Sequence, residues 1–132
     1  MPTKLNTFTK AERLCSKKRI EQLFTAGSHS LSAFPLRAVW NLEERDGMPC
    51  QLLISVSKRR QRHAVDRNRL KRLVREAFRI HKHALYETLG QRRMNLAILW
   101  TGDRLMPFAT VERKLQNLLQ RIIEELNQPQ ES

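Results

Sequence analysis

The chain has no long apolar run. Its longest unbroken one is Leu96 to Trp100, against the ~20 residues that a spanning helix needs. The first residues, MPTKLNTFTKAERL, hold no apolar core of the signal-peptide kind. Together these predict a cytoplasmic protein with no membrane partner. Cysteine is scarce: Cys15 and Cys50 are the only two, and without metal-ligand spacing they read as free thiols in a reducing compartment. Acids are outnumbered, 13 against 25 Lys and Arg. The adjacent acidic pairs, Glu43-Glu44 and Glu124-Glu125, fall in an expected turn and an expected helix end. A metal-dependent nuclease needs clustered carboxylates, and acid–base work needs a paired His or its equivalent. His81 and His83 are two apart on an expected helix and point in different directions. His81 falls on the apolar side and reads as a packed, hydrogen-bonded residue. His29 and His63 are isolated. There is no Ser/His/Asp set, and no Gly-rich phosphate loop in a chain with four glycines. The expectation is a binding chain with no catalytic residue and no metal held by the protein alone.

What is present is positive charge. The formal net charge is +12 and the pI about 10.9. Such an excess repels itself unless a polyanion neutralises it, and nucleic acid is the default partner. At 132 residues, with no internal repeat and no linker-like stretch, the chain reads as one domain over 1–132 with an ordered core at about 10–126. The charge is concentrated. Lys58, Arg59, Arg60, Arg62, Arg67, Arg69, Lys71, Arg72, Arg75 and Arg79 lie within one stretch that only Asp66 and Glu76 oppose.

Thr9-Lys10-Ala11-Glu12 fits a capping box, and Ser16 is a second candidate N-cap ahead of Ile20, Leu23 and Phe24 at helical spacing. Gly27 supplies a stop, giving a helix at about 17–26. Phe34, Leu36, Ala38 and Trp40 alternate with Arg37 and Val39, predicting a strand at about 34–41. Asp46-Gly47 is a hairpin signal leading to a return strand at 52–57. A basic loop, Lys58 to Arg62, precedes a long helix at about 65–85 with Asp66 as N-cap. Met94 to Trp100 reads as a buried strand. Pro107 suits the first position of a last helix, where Phe108, Val111, Leu115, Leu118, Leu119, Ile122 and Leu126 form an apolar stripe. The order α-β-β-α-β-α predicts an α+β sandwich, one sheet of about four strands packed with three helices.

On a helical wheel, Leu70, Val74, Ala77 and His81 share one side, flanked by Leu73, Phe78 and Ile80. Asn68, Lys71, Arg72, Arg75, Arg79 and Lys82 fall opposite, with Arg67 and Arg69 on the borders. A merely solvated face mixes both signs. Between 67 and 75 this one carries no acid, which costs repulsion at i, i+4 spacing. A row of Arg favours phosphate, which the guanidinium fork bonds bidentately.

Ile54-Ser55-Val56-Ser57-Lys58-Arg59, Ala64-Val65 and Arg67-Asn68-Arg69-Leu70-Lys71-Arg72-Leu73-Val74-Arg75-Glu76-Ala77-Phe78-Arg79 closely resemble the bacterial ribonuclease P protein subunit. Arg-Asn-Arg followed by Lys-Arg carries the resemblance most specifically, and element order and length agree over about residues 10–126. The resemblance implies a left-handed βαβ crossover. It implies two partners, a catalytic RNA and precursor tRNA, and an endoribonuclease whose Mg²⁺-dependent chemistry lies in the RNA. It implies catalytic-RNA contacts at Arg67, Asn68, Arg69, Lys71, Arg72, Arg75 and Arg79. Contacts to the 5′ leader or precursor are implied at Lys58 and Arg59, with Phe24 as an aromatic near a leader cleft; Arg60 and Arg62 extend that basic loop and are expected to meet the leader or precursor as well. Two departures stand out. Arg60-Gln61-Arg62-His63 replaces a loop that often holds Gly, and Ile20 and Ala38 stand where aromatics are common. Phe34 or Trp40 then become the candidates for stacking in the cleft. No protein oligomer is predicted.

Two other readings stay open on the residues alone: a duplex-DNA regulator using Arg67 to Arg79 as its recognition helix, and a ribosomal or assembly protein. No apolar heptads follow the basic stretch, which disfavours a zipper.

Overall fold

A computed structural model describes residues 8–25 and 28–128 of the chain. Thr9 opens a 3₁₀ turn at Lys10–Glu12, where the Glu12 carboxylate accepts the Thr9 N–H at 2.8 Å, so the expected capping box is present. Helix α1 spans Lys17–Leu23, and its N-cap Ser16 accepts the Arg19 N–H at 3.4 Å. Phe24 is its C-cap; Gly27, the expected stop, lies outside the described residues. Strands β1 (His29–Ala33) and β2 (Leu36–Glu43) follow, then β3 (Cys50–Val56), helices α2 (Ala64–His81) and α3 (His83–Leu89), β4 (Arg93–Trp100) and α4 (Phe108–Leu126).

The four strands form one sheet in the order β1-β2-β4-β3. β2 is antiparallel to both β1 and β4, and β3 is parallel to β4. This corrects the expected hairpin between 34–41 and 52–57, because β4 lies between those two strands. Gly47 does turn the chain, with φ of 100°, but Arg45 ties that turn to the Met94 carbonyl at 2.8 Å. The cause is the burial pattern of β4. Met94 to Ile98 are all buried, and a strand without a polar face belongs in the middle of a sheet. β1 was not among the expected strands, since His29–Ala33 offers only Leu31 as a large apolar residue. Phe34 and Pro35 are not strand residues but the turn between β1 and β2.

The register sorts the two faces. Leu36, Ala38 and Trp40 share one with Leu96, Ile98 and Trp100, and with Leu52 and Val56. This face packs under α2, α3 and α4, around Leu70, Val74, Ala77, Phe78, Leu115 and Ile122. The other face is small: Val39 and Ala97 meet Leu14 and Leu23, with Ile20, Leu53 and Leu99 at the margin. α1 therefore covers only part of that side, and the α+β sandwich is thick on one face and open on the other.

The helix expected at 65–85 is two helices, with Lys82 between them. Lys82 was expected on the exposed basic side. Instead it is buried, its Nζ 2.5 Å from Glu12 Oε2, and the Tyr86 hydroxyl donates to the same oxygen at 2.5 Å. Burial alone would raise the Glu12 carboxyl pKa. The hydrogen bonds from Lys82, Tyr86 and Thr9 outweigh it and hold the carboxyl below its ordinary range. The other end of α2 also differs from expectation. Its N-cap position is His63, which makes no side-chain cap bond, and Asp66 sits within the first turn. Pro107 is the N-cap of α4 instead of its first residue.

Candidate nucleic-acid interface

Three surfaces carry the residues singled out in the sequence. The first is the outer side of α2. Leu70, Val74, Ala77 and Phe78 are its buried side, which locks the helix to the sheet and fixes the direction of the opposite side. Asn68, Arg69 and Arg72 are exposed there, and Lys71 and Arg75 are half-buried where the helix passes the outer edge of β3. Among the described residues, no carboxylate lies within ion-pair distance of Arg69, Lys71, Arg72 or Arg75. Burial lowers the Arg75 pKa, and the charges of Arg13 and Arg72 lower it further. Arg79 differs: it pairs with Glu76 on the preceding turn, which raises its pKa. His81, expected to be packed and hydrogen-bonded, is half-buried with its Nε2 2.9 Å from Glu112 Oε2.

The second surface is the loop after β3. Ser57 starts a turn there, its carbonyl accepting the Gln61 N–H at 3.0 Å. Arg67 Nη1 then donates to the Gln61 carbonyl at 2.9 Å and the Arg62 carbonyl at 3.0 Å. Arg67 is thus turned back from the helix onto the loop, and it shapes the segment that departs from the family pattern. Arg60 meets Asp103 at 3.2 Å, drawing the loop toward the chain that follows β4. Lys58, Arg59 and Arg62 are exposed. Phe34 stands at the same end of the sheet, 62% exposed, with its ring against Gly102.

The third surface is a cleft of about 170 Å³ on the open face, lined by Leu23, Phe24, Thr25, Ser30, Arg37 and Leu99 among others. Phe24 is 50% exposed at its lip, so it is not a core residue. Arg37 Nε donates to Ser30 Oγ at 2.9 Å, holding a guanidinium over the strand floor. The expectations for Ala38 and Trp40 are corrected here. Both are buried on the helix-covered face, and the β2 residues that meet the cleft are Arg37 and Val39. Arg37 was missed as a site residue, although the alternation of β2 already placed it opposite Leu36 and Ala38. Ile20 flanks the small core under α1.

A two-layer α+β scaffold with an uncompensated row of cations on one helix, and an aromatic-lipped cleft behind it, defines the class of a small nucleic-acid-binding protein. The family profile described as Ribonuclease P matches residues 8–123. A ribonuclease P protein component from Porphyromonas gingivalis is 42% identical over 117 residues, covering 86% of this chain and 85% of that protein. One from Chlorobium phaeobacteroides is 31% identical over 131 residues, with 89% of each chain covered. Among solved structures, the Thermotoga maritima RNase P protein superimposes with a TM-score of 0.65 at 27% identity, covering 83% of this chain and 96% of that one. The Staphylococcus aureus RNase P protein gives a TM-score of 0.71 at 22% identity over 86% and 96% of the two chains, a likeness of fold. The chain belongs to the ribonuclease P protein family.

Proposed function

We propose that the chain binds the catalytic RNA of ribonuclease P through α2 and the 5′ leader of precursor tRNA through the cleft under α1. In this role it assists the Mg²⁺-dependent removal of the leader that leaves the mature 5′ end. The observation that carries the reading is the placement of the two surfaces. Asn68, Arg69, Lys71, Arg72, Arg75 and Arg79 lie on the helix layer, Phe24 and Arg37 on the opposite face of the sheet. The chain can therefore touch two RNA elements at once. Lys58, Arg59, Arg60 and Arg62, with Phe34, occupy the strand ends between them and are assigned to the precursor. Arg67 contributes by holding that loop in shape.

The reacting groups are assigned to the RNA. Among the described residues no three His, Cys, Asp or Glu side chains gather into a set that could hold a metal ion; the Mg²⁺ of the proposal is assigned to RNA and substrate. What the protein supplies is electrostatic and positional: cations that offset phosphate repulsion between catalytic RNA and substrate, and an aromatic edge for an unpaired base. None of the described helices is long and apolar enough to cross a membrane.

Reconstitution with the cognate catalytic RNA tests this. The chain is expected to restore precursor cleavage at low Mg²⁺ and to tighten binding of leader-bearing substrate over mature tRNA, and alone to cleave nothing. Cleavage by an RNA-free preparation would overturn the assignment of chemistry to the RNA.

A further inference from the structure

The outer edge of β3 carries a second cleft, of about 180 Å³. Arg13, Cys15, Leu53, Ile54, Lys71 and Arg75 are among the residues that line it. Arg13 belongs to the segment ahead of α1, remote in sequence from the basic helix. Its backbone pairs with Leu52 in a parallel bridge, and the next amide, Leu14 N–H, donates to the Leu52 carbonyl at 2.9 Å. Glu12 beside it is pinned by Lys82, Tyr86 and Thr9, and Gln51 holds the Ala11 carbonyl at 3.0 Å. Arg13 is therefore an exposed cation on a rigid mount. Rigid mounting lowers the ordering cost that a flexible side chain would carry on binding.

We infer that Arg13, Lys71 and Arg75 form a phosphate-binding cleft that takes one ribose–phosphate unit of an RNA strand running along the β3 edge. The assignment rests on the reading of the chain as an RNA-binding subunit and extends it beyond α2. No carboxylate lines the cleft, so the three cations face one another with nothing to offset them, and the Arg13 charge is one of those that depress the Arg75 pKa. An arriving phosphate relieves that repulsion, and two guanidiniums give it forked donors. The cleft lies below the about 300–1,000 Å³ of sites for larger organic ligands, which suits a phosphate and its sugar. Leu53 and Ile54 add apolar lining for the ribose carbons.

Cys15 makes the cleft readable. It is exposed, whereas Cys50 is buried and burial pushes its thiol pKa up, so a maleimide labels Cys15 selectively in the folded chain. With the cognate catalytic RNA bound, Cys15 labelling is expected to slow at least ten-fold. Arg13→Gln and Arg75→Gln are each expected to weaken RNA binding about ten-fold and to lower the log–log salt slope by about 0.7–0.9. Arg113→Gln on α4 should change neither. If RNA binds the wild-type chain while Cys15 reacts at its free rate, and Arg13→Gln binds as wild type, the cleft is not a phosphate site, although the α2 assignment survives through a loss in Arg72→Gln. Failure of the wild-type chain to bind the RNA overturns both readings.

Discussion

Replacing Lys82 by Met tests how the fold holds its first segment. Glu12 is 1% and Lys82 3% exposed. Among the described residues Lys82 is the one cation in an ion pair with Glu12. The substitution keeps the Tyr86 hydroxyl and the Thr9 N–H on the carboxylate but leaves its charge buried without a counter-charge. Breaking such a pair costs about 3–5 kcal/mol, a large share of the about 5–15 kcal/mol that stabilises a domain. Glu12→Gln should cost a comparable amount, because it strands the ammonium. The double variant Glu12→Gln/Lys82→Met buries neither charge and should recover most of the loss. Urea unfolding at constant m value reads each corner of this cycle. The pH dependence has a defined sign. The folded Glu12 pKa is lowered, so its contribution is complete above the ordinary carboxylate value of about 4.3 and disappears as pH falls through the folded value. Acidification below that point should lower the wild-type midpoint more than that of the double variant. A Lys82→Met loss under about 1 kcal/mol, at unchanged m, would refute the reasoning, since a pair with water access costs no more than that.

On the helix, Arg72→Gln should weaken catalytic-RNA binding and flatten its salt dependence by about 0.7–0.9 in log–log slope. Arg113→Gln is the proper control; Arg92 is not, because it donates to the Thr88 carbonyl at 2.7 Å and caps a helix end. Equal effects of Arg72→Gln and Arg113→Gln would mean that net charge alone governs binding. Phe24→Ala should cost about 1–3 kcal/mol in binding leader-bearing precursor if one base stacks on the ring, with little change for mature tRNA in a competition assay. Gly102→Ala places a Cβ 3.0 Å from Pro35 Cβ and 3.4 Å from Trp100 Nε1. It should lower stability by about 1–3 kcal/mol in urea unfolding, as overpacking does.

The elements with strong local signals were legible in the sequence. The apolar stripe of α4, the capping box at Thr9, the Ser16 cap and the buried run of β4 all follow from patterns a few residues long. What escaped prediction depends on pairing across the chain. Lys82 reads as one more surface cation until Glu12, 70 positions away, is placed beside it. Asp46-Gly47 reads as a hairpin until β4 claims the central position. Most of the candidate site was legible because helical periodicity separates Lys71, Arg72 and Arg75 from Leu70 and Val74. The loop contacts of Arg67 were not foreseen for a similar reason: its carbonyl partners belong to an irregular loop, which periodicity does not describe. Arg13 carried no signal, since nothing local says that its segment lies along β3.

The position of β4 has a consequence for how the protein is made. β3 and β2 are each hydrogen-bonded to β4 and not to each other, so the sheet stays in two parts until residues 93–100 have been added. During synthesis the basic helix emerges before the strand that completes its seat, and its cations have no fixed orientation until that strand inserts. Long-range closure of this kind is slow compared with helix formation. A nascent chain stalled ahead of residue 93 would carry the full charge of α2 without its geometry and would bind polyanions without discrimination. Selectivity for a particular RNA would thus arrive late in synthesis, with the insertion of a buried apolar strand.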